Sequence, residues 1–69
     1  MKNTFPYRLK ELRIENNLSR KQLAEKLFVT QRTISYWENG KRECDFNMLI
    51  KISNCLNCTI DYLLGKDEL

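Results

Sequence analysis

The stretch Ser19 to Arg42, SRKQLAEKLFVTQRTISYWENGKR, contains the pattern that decides the fold. Ser19 followed three residues later by Gln22 is a capping box, which starts a helix. Thr30 is a second N-cap residue, and Asn39-Gly40 ends the helix that follows it, because both residue types tolerate a left-handed backbone. The stretch therefore predicts two short helices joined by a tight bend.

The bend has the features of two helices that cross closely at a steep angle. Such a crossing needs a small residue at the contact, and Ala24 stands at the fifth position counted from Arg20. Ile34, at the fifteenth position, is expected to face the same contact, with Phe28-Val29 forming the bend. Two helices joined in this way are a helix-turn-helix, here spanning about residues 20–39.

The rest of the chain is also predicted to be helical, because its apolar residues recur at intervals of three and four and no segment alternates. A first helix runs from about Pro6 to Asn16, with the proline in its first turn. Asp45 and Thr59 are N-cap residues for a fourth and a fifth helix, and Gly65 ends the fifth. The sequence thus predicts an all-α fold of five helices.

The length of the chain predicts one compact domain over residues 1–69 with a modest hydrophobic core. Residues 66–69 are expected to be a frayed tail. The fourth helix carries apolar residues on one face, spaced as a continuous core stripe. That stripe consists of Phe46, Leu49, Ile52 and Leu56.

Positive charge is concentrated in the middle of the chain. Residues 20–42 contain six lysines or arginines and two glutamates, whereas the rest of the chain is close to neutral. This distribution favours an anionic partner such as nucleic acid, with an ordinary solvated face as the alternative. Because the chain has no histidine and no phosphate-binding loop, we predict no enzyme activity, no cofactor and no metal site.

Three cysteines raise the question of thiol chemistry. Cys55 and Cys58 form a CxxC motif, but a zinc site would need a second pair or histidines, and only Cys44 remains. An odd number of cysteines in a reducing compartment also argues against a disulfide framework. We interpret the three as small apolar side chains, with a thiol-regulated sensor at Cys55 and Cys58 as the alternative.

Several segments together resemble one known family. They are Leu18-Ser19, Leu23-Ala24, Thr33-Ile34, the run WENGK at residues 37–41 and the run DYLLG at residues 61–65. At these spacings the chain is similar, from Arg8 to Gly65, to the lambda-repressor-like, XRE-type helix-turn-helix family. The resemblance implies a five-helix domain that binds operator DNA, usually as a dimer on a palindrome.

The third helix has a polar outer face, whose residues we predict to read bases: Gln31, Arg32, Ser35 and Tyr36. Glutamine can pair with the edge of adenine, and arginine with that of guanine, in the major groove. The resemblance implies base contacts from Gln31, Arg32 and Tyr36. Contacts to the DNA phosphates are predicted for residues that flank this helix: Arg20, Thr30, Asn39, Lys41 and Arg42.

The resemblance also implies that Arg20 supports Gln31, and that Arg13 and Glu38 form an ion pair between the first and third helices. The pair would explain a cation beside the apolar face of the first helix, because a buried charge needs a partner. Phe28 departs from the family, which usually has glycine there with positive φ. A bulky residue in that conformation costs on the order of 1 kcal/mol. Cys44 stands where proline is common, so we expect a less rigid loop.

These patterns predict a sequence-specific double-stranded DNA-binding transcriptional regulator, most simply a repressor with the third helix in the major groove of a palindromic operator. We expect a weak homodimer that is strengthened on DNA, with Tyr62, Leu64 and residues 66–69 as the candidate surface. No apolar run suits a membrane span and no signal peptide is present, so we expect a cytoplasmic protein of bacterial or phage origin, associated with the nucleoid. The alternative is a protein-interaction module, such as an antitoxin or adaptor with an unknown partner, using exposed Phe28, Tyr62 and Leu64.

Overall fold

The computed structural model describes residues 4–66, which contain five α-helices and no strand. The helices are α1 (Phe5–Glu15), α2 (Arg20–Leu27), α3 (Gln31–Glu38), α4 (Phe46–Leu56) and α5 (Ile60–Leu64). The predicted all-α fold is confirmed. Of the tail that we expected to be frayed, only Lys66 is described, and its backbone N–H donates to the Asp61 carbonyl at 2.9 Å. Residues 67–69 lie outside the described part of the chain.

Local side-chain chemistry starts most of these helices. Ser19 Oγ accepts a hydrogen bond from the Gln22 backbone N–H at 3.0 Å, and Gln22 Oε1 accepts one from the Ser19 N–H at 2.8 Å, so the capping box is present. Thr30, Asp45 and Thr59 each accept from the backbone N–H three residues further on. These bonds satisfy N–H groups that the first turn of a helix leaves without partners.

The helix α1 begins and ends one residue earlier than predicted. It starts at Phe5, with Pro6 in its first turn and no side-chain cap from Thr4. Its end is set by asparagines, as expected: Asn16 is the C-cap residue, and Asn17 takes a left-handed conformation with φ of 60°. This reversal leads the chain directly into the capping box of α2.

A single apolar cluster joins all five helices. Twelve buried side chains form it: Phe5, Leu9, Leu12, Leu23, Ala24, Leu27, Ile34, Trp37, Leu49, Ile52, Leu56 and Leu63. Helix α3 packs against both α1 and α2. The core therefore holds α3 from behind and leaves its opposite face open.

The expectation that Phe46 belongs to the core was wrong. Leu49, Ile52 and Leu56 are buried, but Phe46 is 84% exposed. Phe46 is the first residue of α4, immediately after its cap Asp45. Because side chains on a helix tilt toward its N-terminus, that of the first residue projects beyond the end of the helix instead of onto the packed face.

The bend between α2 and α3 contains the strained residue that the sequence indicated. Phe28 has φ of 60° and ψ of 43°, and its side chain is 89% exposed. The N–H of the next residue, Val29, donates to the Ala24 carbonyl at 3.0 Å, which closes the end of α2. The left-handed residue thus turns the chain sharply enough for α3 to cross α2, and it does so without the glycine usual in a left-handed C-terminal cap.

We expect Phe28→Gly to raise the free energy of unfolding by about 0.5–1 kcal/mol. Glycine removes a left-handed penalty of about 1–2 kcal/mol, part of which is offset by the greater freedom of glycine in the unfolded chain. Urea denaturation should report a higher midpoint with an unchanged slope. Asn57→Gly is the matched control, because Asn57 is also a left-handed C-cap, with φ of 56°, but asparagine tolerates this conformation. A loss of stability in the Phe28 variant would contradict the prediction.

Candidate nucleic-acid interface

Helix α3 divides cleanly into an inner and an outer face. Its inner face buries Ile34, Trp37 and Glu38. The four predicted base-reading residues lie together on the other side, as two pairs spaced four apart, which are neighbours on a helix surface. Gln31 and Arg32 are exposed at the first turn, and Ser35 and Tyr36 are half-buried one turn further on. The structure therefore presents an amide, a guanidinium, a hydroxyl and a phenol ring on one surface.

The residues predicted to contact phosphates lie at both ends of this face. Thr30 caps α3 and its hydroxyl is 2.8 Å from that of Thr33. Beyond the other end, Asn39, Lys41 and Arg42 are all exposed. The polar outer face is therefore bordered by hydrogen-bonding groups at one end and cations at the other.

The loop after α3 is folded back against the outer face. The Lys41 backbone N–H donates to the Tyr36 carbonyl at 2.9 Å, and Gly40 makes this return possible with φ of 73°. The Arg42 guanidinium then lies 5.3 Å from the centroid of the Tyr36 ring, a cation–π contact. The sequence carries no clear signal for this contact, because it depends on the path of the loop rather than on helical spacing.

A buried carboxylate links three helix ends behind the face. Glu38 Oε2 accepts a hydrogen bond from Arg13 Nε at 2.7 Å, and Glu38 Oε1 accepts one from Arg20 Nε at 3.0 Å. The Glu38 side chain has no exposed surface, that of Arg13 is 10% exposed and that of Arg20 is 37% exposed. Arg13 Nη1 also donates to the Leu18 carbonyl at 2.8 Å. The structure thus brings Arg13 and Glu38 together and adds Arg20, which sequence analysis had connected only with Gln31 and DNA.

Within residues 4–66 no hydrogen bond joins Arg20 to Gln31. The sequence offered one signal for the contact that Arg20 makes instead. A cation at the start of a helix and an anion at the end of one are each unfavourable for their own helix dipole. Arg20 opens α2 and Glu38 closes α3, so each residue would need a partner from outside its helix.

The electrostatics of residues 20–42 follow from this burial. Of the two glutamates in the segment, Glu38 is buried against Arg13. The other, Glu25, is exposed, as are most of the six cations; only Arg20 is partly covered. The surface that this segment presents is therefore more positive than its formal charge, which suits an anionic partner.

Burial affects the thiol chemistry of two of the three cysteines. All three are free and half-buried. Burial, followed by the carboxylates of Asp45 and Glu43, raises the pKa of Cys44 to about 11, although a hydrogen bond from its own backbone acts in the opposite direction. Burial also raises the pKa of Cys58. A raised pKa lowers the thiolate fraction, and the thiolate is the form that reacts with oxidants, so burial weighs against the thiol-sensor alternative at Cys58.

Two residues of the surface predicted for a dimer or a protein partner are less exposed than expected. Tyr62 and Leu64 are half-buried, not exposed. The short helix α5 packs on α1, where the Arg8 guanidinium lies 4.1 Å from the centroid of the Tyr62 ring and Arg8 Nη1 donates to the Tyr62 carbonyl at 2.7 Å. The large apolar side chains that are exposed lie elsewhere: Tyr7, Ile14, Phe28, Phe46 and Ile50.

Residues 4–66 contain neither a cluster of metal ligands nor a membrane-spanning helix. No group of three or more cysteine, aspartate or glutamate side chains is placed to hold a metal ion. None of the helices is long and apolar enough to cross a membrane.

The chain is similar to known helix-turn-helix proteins over most of its length. The family model described as helix-turn-helix matches residues 9–63. The chain is 44% identical over 61 residues to the HTH-type transcriptional regulator ImmR of Bacillus subtilis (strain 168), covering 88% of this chain and 48% of ImmR. It is 43% identical over 65 residues to the HTH-type transcriptional activator BcrR of Enterococcus faecalis, covering 94% of this chain and 32% of BcrR. The chain therefore spans about half or less of the length of these two curated relatives.

The structure is also similar to that of a DNA-bound protein. The P22 c2 repressor in complex with a synthetic operator superposes with a TM-score of 0.87 at 27% sequence identity. The alignment covers 96% of this chain and 100% of the repressor chain in that structure.

Proposed function

The chain belongs to the lambda-repressor-like, XRE-type helix-turn-helix family, and on this premise we propose that it is a transcriptional regulator that binds specific sequences of double-stranded DNA. The observation that carries the proposal is the division of α3. Ile34 and Trp37 fix the helix from behind, whereas Gln31 and Arg32 are exposed at its N-terminal turn. A helix held in this way can enter the major groove with its first turn toward the bases.

Recognition is divided between two sets of residues. Gln31, Arg32, Ser35 and Tyr36 contact base edges, each good bidentate pair giving roughly 1–3 kcal/mol of discrimination against the wrong base. The second set fixes the register of α3 through phosphates and carries no sequence information of its own. That set consists of Arg20, Thr30, Asn39, Lys41 and Arg42.

Residues 1–69 act as a single DNA-binding domain, with the helix-turn-helix at about residues 20–39. The chain binds a palindromic operator as a weak homodimer that DNA strengthens, with half-sites about 34–36 Å apart. Its effect is repression, by occupation of a promoter. The similarity to the P22 c2 repressor, which covers the whole repressor chain in that structure, supports repression. The relative BcrR is named an activator, so activation is the other possible effect on transcription. The site of action is the bacterial cytoplasm, on nucleoid DNA.

Selection of bound sequences from a random duplex pool, at stated salt, tests the proposal. We expect wild type to enrich a palindrome. Arg32→Ala should lose its preference at one base pair in each half-site, at a cost of about 1–3 kcal/mol for the original operator. Arg32 is suited to this test because its side chain is exposed and makes no hydrogen bond or ion pair within residues 4–66.

Lys41→Ala is the matched control for the loss of one exposed cation. It should weaken binding to all sequences alike and reduce the salt dependence by about one unit of slope. An Arg32→Ala protein with unchanged base preference at every operator position would contradict the role given to Arg32. A wild-type chain that enriches no sequence would contradict the proposed function.

A further inference from the structure

We infer that Glu38 is a positioning residue for DNA binding, acting through Arg20 although its own carboxylate is fully buried. This inference rests on the proposed function. Glu38 holds Arg20 by Nε alone, with a hydrogen bond of 3.0 Å. The two Nη groups of Arg20 make no hydrogen bond to any residue from 4 to 66. They are the part of the guanidinium left to bind a phosphate.

The charges of the cluster support this division. One carboxylate needs one cation for neutrality, and Arg13 supplies it through a short contact of 2.7 Å with little exposure. Arg20 is therefore a second cation on a carboxylate that is already neutralised, and the cluster of three residues carries one excess positive charge. That excess lies on the partner with the most exposed side chain, Arg20, at 37%.

The geometry of the guanidinium makes the arrangement directional. Its five N–H groups form a rigid planar fork, so a bond from Nε to one acceptor fixes the direction of the Nη groups. A lysine ammonium at the same place would be a point charge on a flexible stem. If orientation by Glu38 matters, charge alone at position 20 is insufficient.

Two explanations for Glu38 predict opposite changes in the DNA affinity of the Glu38→Gln variant. If Glu38 is only an acidic residue near the interface, Glu38→Gln removes a negative charge and tightens DNA binding. If Glu38 positions Arg20, the same variant weakens DNA binding by about tenfold, because a neutral amide oxygen holds the guanidinium less firmly than the carboxylate does. The effect should disappear in an Arg20→Ala background, because the group that Glu38 acts through is then absent.

The experiment measures equilibrium binding to the selected operator and to a random duplex, from 50 to 200 mM salt, with the folded fraction of each variant taken from circular dichroism. Because Glu38→Gln leaves Arg13 without a full partner and can fail to fold, Arg20→Lys provides a second test that keeps the Arg13–Glu38 pair. We expect Arg20→Lys to lose about tenfold in affinity despite its unchanged charge. The matched control is Lys21→Arg, a charge-preserving change at the exposed neighbour, and it should bind as wild type does.

The DNA affinities of the Glu38→Gln and Arg20→Lys variants decide whether Glu38 positions Arg20. Weaker binding by the folded fraction of Glu38→Gln, or by Arg20→Lys, supports the inference. A folded Glu38→Gln variant that binds as tightly as wild type or more tightly overturns it, as does an Arg20→Lys variant equal to wild type. In both of these cases wild type still binds the operator, so the proposed function stands. A wild-type chain with no salt-dependent DNA binding would instead defeat the proposed function itself.

Discussion

Glu38→Ala is expected to lower the free energy of unfolding by about 3–5 kcal/mol, the usual cost of removing one partner from a buried ion pair. The side chain of Glu38 has no exposed surface and that of Arg13 has only 10%. Without the carboxylate, the Arg13 guanidinium keeps only its bond to the Leu18 carbonyl. By the per-residue rule a domain of this size has roughly 3–10 kcal/mol of stability, so the variant should be largely unfolded at 37 °C.

Arg20→Ala is the control for this loss, because it removes the exposed partner of the same carboxylate. Arg20 can be hydrated, and its pair with Glu38 should contribute no more than about 1 kcal/mol. Urea denaturation of both variants gives the comparison. Equal losses would contradict the assignment of Arg13 as the main partner of Glu38.

Replacing Arg13 and Glu38 together shows how much of the loss in Glu38→Ala comes from leaving the Arg13 guanidinium buried without a partner. The double variant Arg13→Met, Glu38→Leu removes both charges and restores apolar volume, and it should be more stable than Glu38→Ala by several kcal/mol. If the double variant is as unstable as the single one, the loss arises from packing rather than from an unpaired guanidinium.

The sequence was most informative where the chemistry is local. The cap bonds of Ser19 and Thr30 join groups three residues apart, so their types and spacing suffice to predict them. The left-handed conformation of Phe28 was also foreseeable, because the family that the chain resembles usually has glycine with positive φ at this position. Buried positions such as Ile34 and Trp37 followed from helical periodicity.

The predictions that were wrong or incomplete concern contacts that depend on how the helices pack in three dimensions. Periodicity places Phe46 on the apolar face of α4, but it does not include the tilt that takes the first side chain past the helix end. The Arg20–Glu38 bond joins residues 18 apart and depends on the angle at which α2 meets α3. Tyr62 is half-buried because α5 packs on α1 near Arg8, which no spacing within α5 reveals.

Trp37→Ala is expected to cost about 3–5 kcal/mol of stability, as a large cavity replaces an indole in the core. Trp37 is 4% exposed and belongs to the apolar cluster that joins α3 to the other helices. Because it is the only tryptophan of the chain, its fluorescence is lost, and unfolding must be followed by far-UV circular dichroism. A Trp37→Ala protein as stable as wild type would contradict the assignment of this residue to the core.

Tyr36→Ala separates the two faces of α3 at adjacent positions. Tyr36 is half-buried on the outer face, where its ring makes a cation–π contact with Arg42, so its removal should cost no more than about 1 kcal/mol of stability. It should nevertheless weaken binding to the operator.

Trp37→Ala should instead lose stability and keep recognition. The unfolded chain does not bind, but the folded fraction still has the intact outer face of α3. An excess of operator at 100 times the dissociation constant adds about 2.7 kcal/mol to the folded state and should restore much of the structure. If operator rescues the fold of Trp37→Ala, the tryptophan supports α3 without contributing to recognition; if it does not, the two faces are coupled.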